Sequence, residues 1–297
     1  MDIRIYTGGH QATTEHFLSA LNNNNDILLD EKISCIPADI NTFRNIFTAS
    51  KAIRNGKNEA TVGQQLLEQL GVIKDAKKLL LNDYRIIGQE HRAFEKEMFY
   101  PRNRGLIKQI QTIFSGSNIR LFIETRSFTS FMPSCYSHMV FTNNAHNFDD
   151  FLAKTDPESL QWSSLIERSQ GRGTKLPATT WRYEDYAYIW RDIVGAITGV
   201  KKYQDLIAPP EKLDLSINLQ TALLFNKYIQ QYPTQTPEEF EKLKTVFLAQ
   251  DLSAIKKLAS PGWSAGRIDA LAHRYDDDWY YIERMDGVET ILPRRIG

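Results

Sequence analysis

The stretch Ile3-Arg4-Ile5-Tyr6-Thr7-Gly8-Gly9-His10-Gln11-Ala12-Thr13-Thr14 decides the fold. Its first four residues are a β-branched and aromatic run, which predicts a short strand. Thr7-Gly8-Gly9 breaks that strand, and Thr13-Thr14 precede a helical pattern with Phe17, Leu18 and Leu21 on one face. A strand, a glycine turn and a hydroxyl-rich helix start make an anion site for a physical reason. The first helical turn leaves backbone N–H groups unpaired, and the helix dipole adds partial positive charge there. Gly8 and Gly9 let the backbone approach an anion closely, and the hydroxyls of Thr13 and Thr14 add donors. Taken alone the segment reads as a plain N-cap, because it lacks the Gly-Lys-Ser/Thr of a Walker A loop.

Working outward, Ile33 to Ile36 is a second strand stopped by Pro37, and the Asn run at 22–25 ends the helix before it. Residues 43–70 are helical with an interruption at Asn55-Gly56. Lys78 to Ile87 carries Leu79-Leu80-Leu81 and reads as a buried strand with the loop after it. Residues 103–114 have helical spacing, 119–124 strong β propensity, and 128–141 read as a helix broken in its first turns by Pro133. A helix at 162–168, a strand at 179–183 and a helix at 186–198 follow. From Asp214 onward the pattern is almost wholly helical. Strands alternating with helices predict an α/β fold with a mostly parallel central sheet flanked by helices, ending in a helical C-terminal portion. Pro209-Pro210 carries too little linker character to divide the chain. One domain over 1–297 is expected, with the sheet core in 1–205 and the mainly helical portion in 206–297.

The 297 residues carry 36 Lys+Arg against 36 Asp+Glu, a formal net charge of zero. No global field draws such a chain to nucleic acid or an anionic membrane, so an anionic ligand needs a local cluster of donors. The two cysteines, Cys35 and Cys135, stand in no metal-ligand spacing; a reducing compartment fits, and neither a disulfide framework nor a metal is expected. The first residues include Asp2 and Arg4 and no apolar leader segment. No apolar run approaches the roughly 18 residues of a membrane span; the longest, 187–200, is cut by Arg191 and Asp192. A cytoplasmic protein is expected.

Residues 5–14 resemble the strand–loop–helix of PAPS-dependent sulfotransferases, whose pattern is Gly-x-x-Lys-x-Gly-Thr-Thr/Ser. In register, Thr7 stands at the first glycine, His10 at the lysine, Ala12 at the second glycine, and Thr13-Thr14 match. Ile119-Arg120-Leu121-Phe122-Ile123-Glu124-Thr125-Arg126, followed by Ser134, is similar to the strand-to-helix element whose Arg and Ser bind the 3′-phosphate. Leu80 to Gly88, Phe99-Tyr100-Pro101 and Trp181 to Tyr186 resemble a bacterial branch of sulfotransferase-like proteins, with a weaker match over 271–292. The resemblance runs in order from about residue 2 to residue 200.

What it implies is a P-loop-type fold and in-line transfer of a sulfuryl group from PAPS to an acceptor hydroxyl or amine, with no metal. PAPS, or its product PAP, would be held by Gly8, Gly9, Gln11, Ala12, Thr13, Thr14, Arg126 and Ser134. The family lysine lies where charge builds on the leaving oxygen; His10 replaces it only when protonated, and an unperturbed histidine titrates near 6.5. A general base must take the acceptor's proton; His91 is the first choice and Asp83 the second. The partners expected are the sulfonucleotide and an acceptor, carbohydrate or small alcohol, with neither nucleic acid nor membrane; the oligomeric state is not legible.

Blander readings stand beside each residue. Arg126 could salt-bridge Glu124 or a helix carboxylate, and Ser134 could bond its own helix backbone. Arg182 could pair with a carboxylate while Glu184 or Asp185 serves a helix start. Trp263, Arg267 and Arg274 fit core and surface roles, and Asp276-Asp277-Asp278 fits a solvated run better than a metal site. The function of a different class is a catalytically inactive nucleotide- or anion-binding protein on the same fold, the family lysine being His10. A P-loop kinase or NTPase lacks its Walker A lysine.

Overall fold

The β-branched runs line up side by side. In the computed structural model of the chain, which describes residues 1–8, 13–37, 39–95, 98–142, 147–152, 155–171, 175–209, 219–234, 236–249 and 263–294, the strands are β1 (Asp2–Tyr6), β2 (Ile33–Ile36), β3 (Lys78–Asn82), β4 (Phe94–Glu95), β5 (Met98–Phe99), β6 (Asn118–Thr125), β7 (Ala178–Arg182) and β8 (Val288–Thr290). Among the described residues six of these form one sheet in the order β2-β3-β1-β6-β7-β8, every pair parallel, and β4 and β5 make a separate antiparallel pair. The α/β class with a mostly parallel sheet is therefore as the alternation predicts.

Both faces of the sheet are covered, because successive strand side chains point to opposite sides. Ile3, Ile5, Leu79, Leu81, Leu121 and Ile123 face one core; Tyr6, Leu80 and Phe122 face the other. The second face is covered by α1 (Thr14–Asn22), α2 (Asn25–Asp30) and, from later in the chain, the helix Tyr186–Thr198. The first is covered by α3 (Ile40–Arg54), α4 (Glu59–Gln69), α5 (Asn103–Ile113), α6 (Phe128–Phe141), α7 (Phe148–Leu152) and α8 (Trp162–Gln170). The helix Tyr186–Thr198 is α9; α10 (Leu219–Gln231), α11 (Pro237–Leu248) and α12 (Ala265–Ile282) add a further layer to the first face. Each fully buried Leu, Ile or Phe contributes about 1.5–3 kcal/mol, so these two faces supply the driving force for folding.

Sheet order and helix side together mark a topological switch point. The chain leaves β1 for α1 on one face, whereas it leaves the flanking strands β3 and β6 for α5 and α6 on the other. Backbone segments diverge there, outside the carboxyl ends of the strands, which is where open α/β sheets bind ligands.

One expectation is corrected. The helix at 128–141 is continuous through Pro133. The missing N–H forfeits one helical bond, and burial of Phe131, Met132, Cys135 and Tyr136 around it outweighs that loss. The mainly helical C-terminal portion also carries β8, a parallel edge strand on β7 with Ala178 opposite Val288. Three residues are too few to show a period in sequence; backbone bonds such as Ile291 N–H to the Thr180 carbonyl (2.9 Å) hold it. Among the described residues no helix is long and apolar enough to cross a membrane.

Candidate functional site

The carboxyl ends of β3, β1 and β6 stand side by side, with Tyr6 between Asn82 and Phe122. The Thr7 N–H donates to the Phe122 carbonyl (2.9 Å) and the Asp83 N–H to the Tyr6 carbonyl (3.2 Å), so the register continues one residue beyond the strands. Gly8 is buried where the chain leaves β1, and Thr14 opens α1, half-buried. Gly9, His10, Gln11 and Ala12 lie outside the described residues.

Thr13 does something the sequence does not show. Its N–H donates to Glu124 Oε1 (3.1 Å) and its hydroxyl to Glu124 Oε2 (2.5 Å). The same carboxylate accepts from Trp181 Nε1 (3.0 Å) and from the Tyr6 hydroxyl (3.4 Å). Burial pushes the Glu124 carboxyl above its ordinary pKa, and the donors from Thr13 and Trp181, with the Arg126 charge, hold it partly back. The expected anion donor is thus committed to a buried carboxylate. Glu124 ties the start of α1 to the ends of β6 and β7.

Two residues further along the same chain segment, Arg126 is buried and reaches α6. Its Nε donates to the Ser130 hydroxyl (3.0 Å) and its NH1 to that of Ser134 (3.5 Å). Its guanidinium carbon lies 4.0 Å from the centre of the Tyr183 ring, and its carbonyl accepts from Trp162 Nε1 (2.8 Å). The structure therefore brings Arg126 and Ser134 together. The Ser130 hydroxyl donates to the Ser127 carbonyl just before α6 and the Ser137 hydroxyl to the Pro133 carbonyl within it, while the Ser134 hydroxyl accepts from Arg126. Glu184 accepts from the Ser127 N–H (2.9 Å) and from the Tyr275 hydroxyl (3.1 Å), so it serves the start of α6 rather than that of its own helix.

Asp83 sits at the end of β3, 1% exposed. Its Oδ1 accepts from the Arg85 N–H (2.9 Å) and Nε (2.8 Å), and its Oδ2 has no hydrogen-bond partner. Burial pushes this carboxyl up, against the pull of Arg85. Thr7 Oγ1 and Asn82 Nδ2, at the ends of β1 and β3, are buried and unpartnered as well. His91 is exposed on a short turn at Glu90–Arg92. Its neighbour Glu90 instead meets His138 of α6, Oε2 to Nδ1 at 2.6 Å. That pair joins residues 48 apart, and no pattern in the sequence points to it.

The remaining residues take structural roles. Arg182 pairs with a carboxylate, that of Asp276 (2.6 Å), as expected. Trp263 packs on Phe148, and Arg267 and Arg274 pair with Asp156 and Glu158. The acidic run is corrected at its third member. Asp278 is buried and accepts from the Trp162 N–H (2.7 Å), the Ser163 N–H (3.2 Å) and the Ser163 hydroxyl, capping α8 from α12. Among the described residues no three His, Cys, Asp or Glu side chains come together as metal ligands could.

No protein-family model matches the chain, and no curated protein matches it in sequence. Among solved structures it is similar to a sulfotransferase from Alicyclobacillus acidocaldarius, at 12% identity and a TM-score of 0.44, over 86% of this chain and 98% of that one. That likeness is too distant to assign anything to this chain's residues.

The geometry itself offers a pinned guanidinium with a hydroxyl beside it, a helix start, and a buried carboxylate with one oxygen uncommitted. A guanidinium and a hydroxyl are groups that hold an anion, and a carboxylate oxygen is one that accepts a proton.

Proposed function

We propose that this site binds a 3′-phosphorylated sulfonucleotide and that the protein transfers the sulfuryl group of PAPS to an acceptor hydroxyl or amine. The observation that carries this reading is the contact between Arg126 and Ser134, at the end of the strand next to the one that opens into the 8–12 loop. A planar guanidinium backed by a hydroxyl suits a phosphate dianion, and the tilt over Tyr183 holds the fork in place. In this reading Gly8, the 9–12 segment and Thr14 meet the phosphosulfate, Glu124 holds Thr13 so that the loop stays in register, and His10 supplies the cation for the leaving oxygen.

The acceptor oxygen attacks sulfur in line, the bond from sulfur to the phosphate oxygen of the nucleotide breaks, and PAP leaves. The acceptor's proton goes to a carboxylate. Asp83 replaces His91 as the base in this scheme, since Arg85 fixes one of its oxygens and the other is uncommitted, whereas His91 is exposed. Positioning and charge stabilisation carry the rate. A carbohydrate or small alcohol is the acceptor class proposed.

One observation favours a second reading, an anion-binding protein without turnover. Both donors of Thr13 are spent on Glu124, which leaves fewer donors for a transferring group. A thermal shift series with PAP, PAPS, ATP and Mg-ATP tests both. At a hundredfold excess over Kd a ligand adds about 2.7 kcal/mol of stability. Stabilisation by PAP and PAPS but not by ATP, lost in Arg126→Ala, supports the site, and PAP release on adding an acceptor supports transfer. No response to PAP or PAPS sinks both readings.

A further inference from the structure

We infer that His138, held by Glu90, is a third arm of the phosphate site built by Arg126 and Ser134, and that it selects nucleotides carrying a 3′-phosphate. The inference rests on the proposed function and names a specificity residue that no sequence motif indicates.

The argument starts from helix geometry. Ser130, Ser134 and His138 succeed one another at four-residue intervals along α6, so their side chains form one ridge, each about 6 Å from the next. Arg126 engages the first two. Ser134, itself buried, therefore comes between Arg126 and His138 along that ridge, and in this inference a phosphate that engages its hydroxyl meets both. The imidazole is oriented for this. Nδ1 is bound to Glu90 at 2.6 Å, which makes Nε2 the outward nitrogen, and the side chain is 38% exposed and so open to a ligand.

The charges around His138 then decide when it acts as a donor. Glu90 favours the imidazolium most, burial opposes it, Lys244 of α11 opposes it, and Glu15 in the first turn of α1 favours it; the balance lies above the ordinary histidine value. Cys135, on the next ridge of α6, feels both Glu90 and Arg126, so the fields of the two groups overlap within this one patch. With His138 protonated, the His138–Glu90 pair is neutral and presents an N–H from Nε2. With the proton lost, the charge of Glu90 is uncompensated beside the phosphate and repels it. Binding of a 3′-phosphate thus weakens as pH rises through the folded-state pKa of His138.

Calorimetric titration separates this from a structural ion pair. PAP and AMP are titrated into wild type, His138→Gln, Glu90→Gln and Arg126→Ala at about pH 6.5 and about pH 8.5. The ratio of PAP to AMP affinity isolates the 3′-phosphate from the 5′ end. We expect that ratio to fall about tenfold from the lower to the higher pH in wild type, and to be low and flat in His138→Gln, a charge-assisted hydrogen bond being worth about that factor. Histidine ring NMR of the wild type supplies a readout that needs no variant to fold: the His138 resonances shift on adding PAP and not on adding AMP. If wild type binds PAP and Arg126→Ala does not, yet the ratio is the same in His138→Gln and its ring signals ignore PAP, this inference fails alone. If wild type does not bind PAP at either pH, the phosphate-site reading fails and takes the inference with it.

Discussion

Replacing Glu124 with alanine tests whether a buried carboxylate organises the site. Four donors converge on it: the Thr13 N–H, the Thr13 hydroxyl, Trp181 Nε1–H and the Tyr6 hydroxyl. The two hydroxyls are already 3.4 Å apart and can turn towards each other, so the substitution strands two groups, the Thr13 N–H and the Trp181 indole N–H. A buried donor left without an acceptor costs about 1–3 kcal/mol, which gives about 4 kcal/mol for the pair. In a chain of this size that lowers Tm by about 8 °C. Urea and thermal unfolding followed by circular dichroism would read it. Adding Trp181→Phe to the alanine variant removes one of the stranded donors. The double variant is therefore less destabilised than the sum of the two single ones, as expected for groups sharing one carboxylate. The PAP response should weaken in parallel, because Thr13 is released. A Glu124→Ala protein within about 1 kcal/mol of wild type, or strict additivity with Trp181→Phe, would refute the clamp.

Asp278→Ala removes the acceptor for two backbone N–H groups at the start of α8, and we expect a loss of about 2–4 kcal/mol in urea unfolding, with Asp278→Asn losing less. Gly63→Ala places a Cβ 2.7 Å from the Ile113 carbonyl oxygen, a backbone atom that cannot swing aside, so α4 and α5 are forced apart at a cost of about 1–3 kcal/mol in the same assay. Stability should fall as pH rises above the ordinary carboxylate range. The carboxyls of Asp83, Glu124 and Asp278 are all pushed up by burial, so the folded state holds these protons more tightly than the unfolded one and loses that advantage as pH climbs through the raised values. Asp83→Asn removes one share of this slope. Its Tm relative to wild type should rise between about pH 4 and about pH 8, and a flat or falling difference would show that Asp83 is not a burdened carboxylate.

Legibility differed from element to element. Runs such as Ile3 to Tyr6 and Ile119 to Glu124 show their strands plainly, because a parallel strand covered on both faces is rich in apolar and β-branched residues, here interrupted only by the half-buried Arg4 and Arg120 and by the terminal Glu124. The helix at 103–113 was equally plain from Leu106, Ile107, Ile110 and Ile113. Pro133 misled because a local rule about a missing N–H was outweighed by packing around α6 that lies far away in sequence. Val288-Glu289-Thr290 offered too short a pattern, and only the edge of β7 made it a strand.

The site divides along the same line. Sequence by itself determined which residues follow the strands, since the runs at 3–6, 79–81 and 119–124 end shortly before Thr7, Asp83 and Arg126. Tertiary structure alone decided which of them meet a partner. It set Glu124 against Thr13, Arg126 against Ser134, Glu90 against His138 and Asp278 against the start of α8, pairs separated by 111, 8, 48 and 116 positions. The reason is physical: apolar periodicity is imposed on neighbours along the chain by burial of one face, whereas a buried polar group takes whichever donor or acceptor the finished packing leaves within about 3 Å.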